Sequence, residues 1–215
     1  VYKQKELEGL AEVIAKFPDL IVIADEIYEY INFTDDHYSL ASVESIKDQV
    51  VTVNGLSKGF SMTGWRIGYL AAPKWLAQAC TKMQGQFTSG TCSITQRAAI
   101  AAISGSLDEP YRMRDQFKIR RDRMLKLLSE IDGFVLNEPP GAFYFFPDIR
   151  AFFGKEIRDH KINTPSDLCM CLLEEAGVAL VTGEAFGDPN CIRISYAASM
   201  GELEEAVKRM KEVLS

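Results

Sequence analysis

Apolar positions recur along the chain in two rhythms. Leu7, Leu10, Ala11 and Ile14 fall at helical spacing, and Phe17-Pro18-Asp19 then ends that helix. Residues 20–24 (Leu-Ile-Val-Ile-Ala) and 50–53 (Val-Val-Thr-Val) are short continuous apolar runs, as is 67–71 (Ile-Gly-Tyr-Leu-Ala). Such runs read as parallel strands buried on both faces. Residues 75–87, 94–103 and 108–131 read as helices, the last placing Met113, Phe117, Met124, Leu128 and Ile131 on or near one face.

The remainder alternates short strands with helices. Residues 134–136 and 142–146 flank Pro139-Pro140-Gly141, a turn signal. Thr164-Pro165-Ser166-Asp167 opens a helix with proline at its first position, and Gly177 closes it. Residues 178–181 and 192–195 read as strands. Ser199 with Glu202 forms a capping box for a last amphipathic helix through Leu203, Val207, Met210 and Leu214. The pattern predicts an α/β first part, residues 1–115, and an α+β second part, residues 116–215, joined by the helix 108–131.

Composition narrows the class. In 215 residues, 47% are hydrophobic and 25% charged, the balance of a globular chain. No apolar run approaches the ~20 residues that a membrane span needs. Lys plus Arg is 24 against 30 for Asp plus Glu, a net charge of −6 that argues against sequence-independent nucleic-acid binding. The helix 108–131 is basic, but Asp115, Asp122 and Glu130 interrupt it, so it reads as a solvated face. The five cysteines are odd in number, and their spacing fits neither a disulfide frame nor a zinc site; a reducing, cytoplasmic compartment is expected.

Candidate chemistry clusters at strand ends. Asp25 closes the first apolar run and Tyr28 follows three residues on. The second run leads into Asn54-Gly55-Leu56-Ser57-Lys58, and Arg66 follows Gly64-Trp65. Ligands of open α/β sheets sit beyond the carboxyl ends of the strands, and a guanidinium beside a glycine-containing turn suits a phosphate. Each residue also has an ordinary reading: Asp25 as a cap, Tyr28 as packing, Lys58 as surface, Arg66 as a salt-bridge partner. An acid, a phenol, a lysine and an arginine together are what a pyridoxal-phosphate site requires.

The run from Gly55 to Gly68, Gly-Leu-Ser-Lys-Gly-Phe-Ser-Met-Thr-Gly-Trp-Arg-Ile-Gly, resembles the lysine signature of class I/II aminotransferases, pyridoxal-phosphate enzymes of fold type I. Asp25-Glu26-Ile27-Tyr28, Pro140 to Pro147 and Ile192 to Ala197 resemble further elements of that family, in the family's order. The resemblance implies a partial fold-type-I large domain followed by the C-terminal small domain. It implies that Lys58 condenses with the cofactor aldehyde and then serves as general base. Asp25 would face the pyridine nitrogen, Tyr28 the ring oxygen and Arg66 the phosphate, while Arg193, by itself a surface arginine on a strand, would grip the substrate α-carboxylate. Many relatives carry a hydroxyl three positions before the lysine; here that position is Gly55, and Ser57 is the hydroxyl beside Lys58.

Within the family, residues 62–68 most resemble bacterial aspartate aminotransferases, which implies aspartate and a 2-oxo acid, 2-oxoglutarate, as substrates, no metal, and a homodimer. The chain reads as the C-terminal half or more of such an enzyme and is expected to be inactive alone. Two rivals remain open: a fold-type-I lyase or aminotransferase of other specificity, and a non-catalytic effector-binding domain of a transcription regulator.

Overall fold

A computed structural model of the protein describes residues 1–34 and 37–215. They divide into two compact units, Val1–Arg114 and Asp115–Ser215.

In the first unit, helix α1 (Gln4–Ile14) starts where the Glu6 carboxylate accepts the Lys3 backbone N–H at 2.7 Å. It buries Ala11 and Ile14 against Leu40, Ile46 and Val50. Strands β1 (Val22–Asp25), β2 (Val50–Gly55) and β3 (Gly68–Ala71) form one sheet in that order. β1 runs parallel to β2, with Asp25 opposite Val53. The third run, expected to be parallel, is antiparallel: Gly55 pairs with Gly68 and Thr52 with Ala71. Its connector from β2 holds turns and one short 3-10 helix instead of the crossover helix that a parallel return needs. Burial on both faces holds for neither edge strand. Val22 and Ala24 of β1 pack against the α1 cluster, whereas Ile23 on its other face is 71% exposed and every residue of β3 is exposed. Helices α2 (Lys74–Phe87) and α3 (Ser93–Ser104) follow, and α4 (Asp108–Leu128) runs through the boundary between the units.

The predicted helix 108–131 thus stops three residues early. The Ile131 N–H bonds Leu128 O at 3.0 Å, a tightened last turn, yet Ile131 stays buried with Leu128 in the core of the second unit. Several basic residues of α4 are engaged: Arg112 with Glu109, Arg123 with Glu204, and buried Arg121 with Asp122, Glu138 and the Pro139 carbonyl.

The second unit is built on a three-stranded antiparallel sheet, β4 (Tyr144–Phe145), β8 (Ile192–Ser195) and β7 (Val181–Thr182), with β8 in the middle. Residues 134–136 do not form the predicted strand; Val135 makes a single bridge with Asp148. Residues 178–180 also fall outside a strand, because β7 pairs only through Val181 and Thr182. The hairpin of β5 (Glu156–Ile157) and β6 (His160–Lys161) was not foreseen, since its turn uses Arg158 and Asp159 at positive φ where glycine or asparagine would signal it. Helix α5 (Pro165–Ala176) begins at the predicted capping box, with Thr164 Oγ1 accepting the Asp167 N–H at 3.2 Å, and ends at left-handed Gly177. Helix α6 (Met200–Leu214) begins at the Ser199/Glu202 box. Ile192, Ile194, Leu168, Leu172, Val207 and Met210 join one dense core.

Among the described residues no helix is long and apolar enough to cross a membrane, and no group of His, Cys, Asp and Glu is arranged to hold a metal ion.

Candidate active site

Strand direction gathers the first set of candidates. Parallel pairing puts the carboxyl ends of β1 and β2 side by side, so Asp25 and the turn holding Lys58 leave the sheet at the same end. Antiparallel pairing puts the start of β3 at that end too, because Gly68 lies opposite Gly55. Arg66, two residues before Gly68, is thereby delivered to the end that carries Lys58. A parallel β3 would have started at the opposite end.

Asp25 Oδ1 accepts the Ile27 N–H at 3.2 Å, so the carboxylate caps a turn and no helix follows it. This turn carries Tyr28, which is half-buried, as are Ser57 and Lys58 in the turn after β2. Two close approaches lock the turns together. A Cβ on Gly59 would lie 2.7 Å from Tyr30 Cδ2 and 2.9 Å from Tyr30 Cβ. The Tyr30 ring also meets Phe60 edge-on, with centroids 5.3 Å apart. A Cβ on Gly55 would lie 3.0 Å from both Gly68 Cα and Ile67 O, backbone atoms that cannot rotate away. That crowding accounts for glycine at position 55. The loop beyond Lys58 holds two non-glycine residues in the left-handed region, Ser61 at φ 52° and Arg66 at φ 54°. Such residues cost on the order of 1–3 kcal/mol each and concentrate at functional sites. Arg66 Nη1 donates to Thr63 O at 2.9 Å, which folds its side chain back over the short helix before it.

The Tyr28 turn is anchored by residues that the sequence reading passed over. Glu26 accepts hydrogen bonds from Ser39 Oγ at 2.8 Å and Leu40 N at 3.3 Å, and pairs with His37 Nε2 at 2.9 Å. Burial pushes the Glu26 carboxyl up, but these bonds and the His37 charge outweigh it and hold it below its ordinary value. The same bond raises the His37 imidazole. Asn54, only 6% exposed, donates from Nδ2 to Glu29 Oε2 at 2.7 Å and accepts the Gly55 N–H at 2.7 Å. A polar residue at the end of an otherwise apolar run was the available signal for Asn54.

Arg193 belongs to the second unit, on the central strand β8 opposite Val181. Its guanidinium carbon lies 4.6 Å from the Tyr144 ring centre and 4.2 Å from that of Phe186, a cation over two aromatic rings. Its Nε is buried and has no hydrogen-bond partner among the described residues. The planar fork of a guanidinium matches a carboxylate. Tyr144 and Phe186 were not singled out in the sequence; an aromatic cross-strand neighbour, read off only once β4 pairs with β8, was the missing information.

The first unit therefore presents a carboxylate, a phenol, an amine and a guanidinium at one sheet end. That donor set fits a ligand with a ring N–H, an acidic ring hydroxyl, an aldehyde and a phosphate. The family model described as aminotransferase class I and II matches residues 1–210. A bifunctional aspartate aminotransferase and glutamate/aspartate-prephenate aminotransferase of Petunia hybrida is 49% identical over 221 residues, covering 100% of this chain and 46% of that protein. The crystal structure of the aspartate aminotransferase from Rhizobium meliloti superposes with a TM-score of 0.95 at 38% identity, over 100% of this chain and 54% of that one. The aromatic aminotransferase from Pyrococcus horikoshii superposes at 0.89 and 38% identity, over 100% and 56%. The chain spans about half the length of the curated relatives it matches.

Proposed function

Because the chain belongs to the class I and II aminotransferases, we propose that the whole protein moves an amino group between L-aspartate and a 2-oxo acid such as 2-oxoglutarate, with pyridoxal phosphate as cofactor. The observation that carries the proposal is the convergence of Asp25, Tyr28, Lys58 and Arg66 on one end of the sheet. The cofactor, when bound, supplies an aldehyde and an electron-withdrawing ring that stabilises negative charge at the substrate Cα.

The chain's own residues divide the remaining work. Lys58 Nζ would hold the cofactor at its aldehyde, and the same amine would serve as the base that moves the substrate Cα proton. The Asp25 carboxylate would accept the ring N–H and keep that nitrogen protonated. Tyr28 would donate its O–H to the ring oxygen, and Arg66 would pair with the phosphate, helped by Ser57. Arg193 would bind the substrate α-carboxylate through its planar fork. Its place on the central strand β8, over the rings of Tyr144 and Phe186, supports that role.

A second acceptor, prephenate, is favoured by the name of the Petunia relative at 49% identity. We extend the proposal to a cytoplasmic homodimer built of a large domain containing the first unit and a small domain containing the second. The exposed Phe87 and Ile94 of the first unit supply apolar surface for a partner or for the rest of the polypeptide to cover. The test is borohydride reduction of the native polypeptide with pyridoxal phosphate, peptide mapping of the modified lysine, and amino-acid analysis of products from aspartate with each 2-oxo acid. The label is expected at Lys58 and glutamate is expected from 2-oxoglutarate. Ammonia and fumarate from aspartate, with no new amino acid, would replace this reading with elimination, and cofactor binding without turnover would replace it with an effector-binding role.

A further inference from the structure

Two turns must hold a fixed distance if the proposed chemistry is to work: residues 26–31, which carry Tyr28, and residues 56–60, which carry Lys58. Packing joins them through Tyr30 on Gly59 and Phe60. A part-buried polar contact also crosses that junction. Asn54 is the last residue but one of β2, and its amide reaches across to Glu29 while its carbonyl oxygen holds the N–H of Gly55, the residue from which the lysine turn springs.

Tyr28 thus lies between two anchored carboxylates. On one side Glu26 is fixed by Ser39, Leu40 and His37; on the other Glu29 is fixed by Asn54. The backbone between them closes on itself, with Glu29 N–H bonded to Glu26 O at 3.0 Å and Ile31 N–H to Tyr28 O at 2.8 Å. Glu29 is only half-buried. Asn54, in contrast, is buried, and a buried amide is retained at a strand end only where both its donor and its acceptor are used.

We propose that Asn54 and Glu29 are a positioning pair that sets Tyr28 against Lys58, so that the phenol and the amine meet the same cofactor ring. The inference rests on the function proposed above. Neither residue touches the reacting atoms; both act through the turns they tie.

The experiment uses the native polypeptide loaded with pyridoxal phosphate. Three variants are compared: Glu29→Ala, Asn54→Asp, and the exchange Asn54→Asp with Glu29→Gln. The readouts are the cofactor dissociation constant and the pH midpoint of the bound cofactor's absorption. Glu29→Ala frees the turn while Asn54 keeps Gly55, and Asn54→Asp sets two carboxylates against each other. Each is expected to weaken cofactor binding by roughly tenfold or more, the scale on which small misplacements act. Asn54→Asp also adds a negative charge near the site and is expected to move the absorption midpoint upward. In the exchange, the amide and carboxylate swap sides and the charge count returns, so both readouts are expected back within about threefold of the unsubstituted protein. Full rescue by the exchange is the signature of the pair. If Asn54→Asp does not fold, Glu29→Ala and the exchange decide the matter by the same two readouts. Unchanged binding and midpoint in Glu29→Ala, or an exchange that folds without rescue, overturns the proposal. Scattered lysine labelling in the unsubstituted protein would remove the function itself; clean labelling at Lys58 with indifferent variants removes only the pair.

Discussion

Gly59→Ala is the sharpest test of how the two turns are held. The new methyl would sit 2.7 Å from Tyr30 Cδ2, 2.9 Å from its Cβ and 3.1 Å from its Cγ. Ordinary carbon contacts lie near 3.5–4.0 Å, so the overlap is the better part of an ångström. Tyr30 cannot swing clear, because its Cβ is one of the atoms struck and its ring is edge-on to Phe60. Overpacking of this kind costs about 1–3 kcal/mol, which lowers the folded-to-unfolded ratio by roughly 5- to 150-fold. The assay is urea unfolding of the 215-residue chain, with the midpoint falling and the slope unchanged. A double-mutant cycle isolates the cause. In a Tyr30→Ala background the ring is gone and only the 2.9 Å Cβ contact remains, so Gly59→Ala is expected to cost less than it does beside the full side chain. An equal cost in both backgrounds would refute the clash and point to the backbone of the lysine turn instead.

Arg193→Lys keeps the charge but loses the planar fork and much of the stacking between Tyr144 and Phe186. Its expected outcome is a rise in KM for the amino acid of roughly tenfold to a hundredfold, with cofactor binding unaltered; an unchanged KM would remove Arg193 from the substrate site. The His37–Glu26 pair predicts a stability window. His37 is raised, so its contribution is complete below its ordinary 6.5 and fades as pH climbs through the raised value. Glu26 is lowered, so its contribution is complete above its ordinary 4.5 and fades as pH drops through the lowered value. The stability difference between the unsubstituted chain and His37→Gln should therefore be largest between about 4.5 and 6.5, and a difference flat from acid to alkaline pH would count against the pair. Thiol reactivity offers a further check. The N–H groups of Thr95 and Ile94, with the Thr95 hydroxyl, lower exposed Cys92, whereas burial pushes Cys169 and Cys191 up to about 11. Alkylation near neutral pH, followed by peptide mass spectrometry, should modify Cys92 well before those two; simultaneous modification would contradict the burial of the second unit's core.

Local elements were legible where one residue type dictates one geometry. Thr164 and Ser199 announce helix starts because their hydroxyls satisfy a backbone N–H that the first turn leaves open, and both caps form as read. Gly177 announces a helix end because it enters the left-handed region without strain. The strand 192–195 was legible from its alternating isoleucines, and the run of β1 into Asp25 and of β2 into the turn holding Lys58 was legible from the apolar stretches before them. The hairpin at Arg158-Asp159 was hidden because its turn residues carry none of the usual signals, and residues 178–180 misled because an apolar run becomes a strand only where a neighbour's backbone lies beside it.

What the sequence determined, then, was the inventory: which side chains are available, where helices start and stop, and which stretches are extended. What tertiary structure decided was adjacency. Parallel and antiparallel strands share the same two-residue alternation, so no pattern in residues 67–71 told the direction of β3; the turns of its connector did, and that direction brings Arg66 to the Lys58 end of the sheet. Asn54 reaches Glu29 across 25 positions, and Arg193 meets the Tyr144 ring across 49. Such contacts arise from packing between elements, which the free energy of the whole fold selects and no local window of sequence contains.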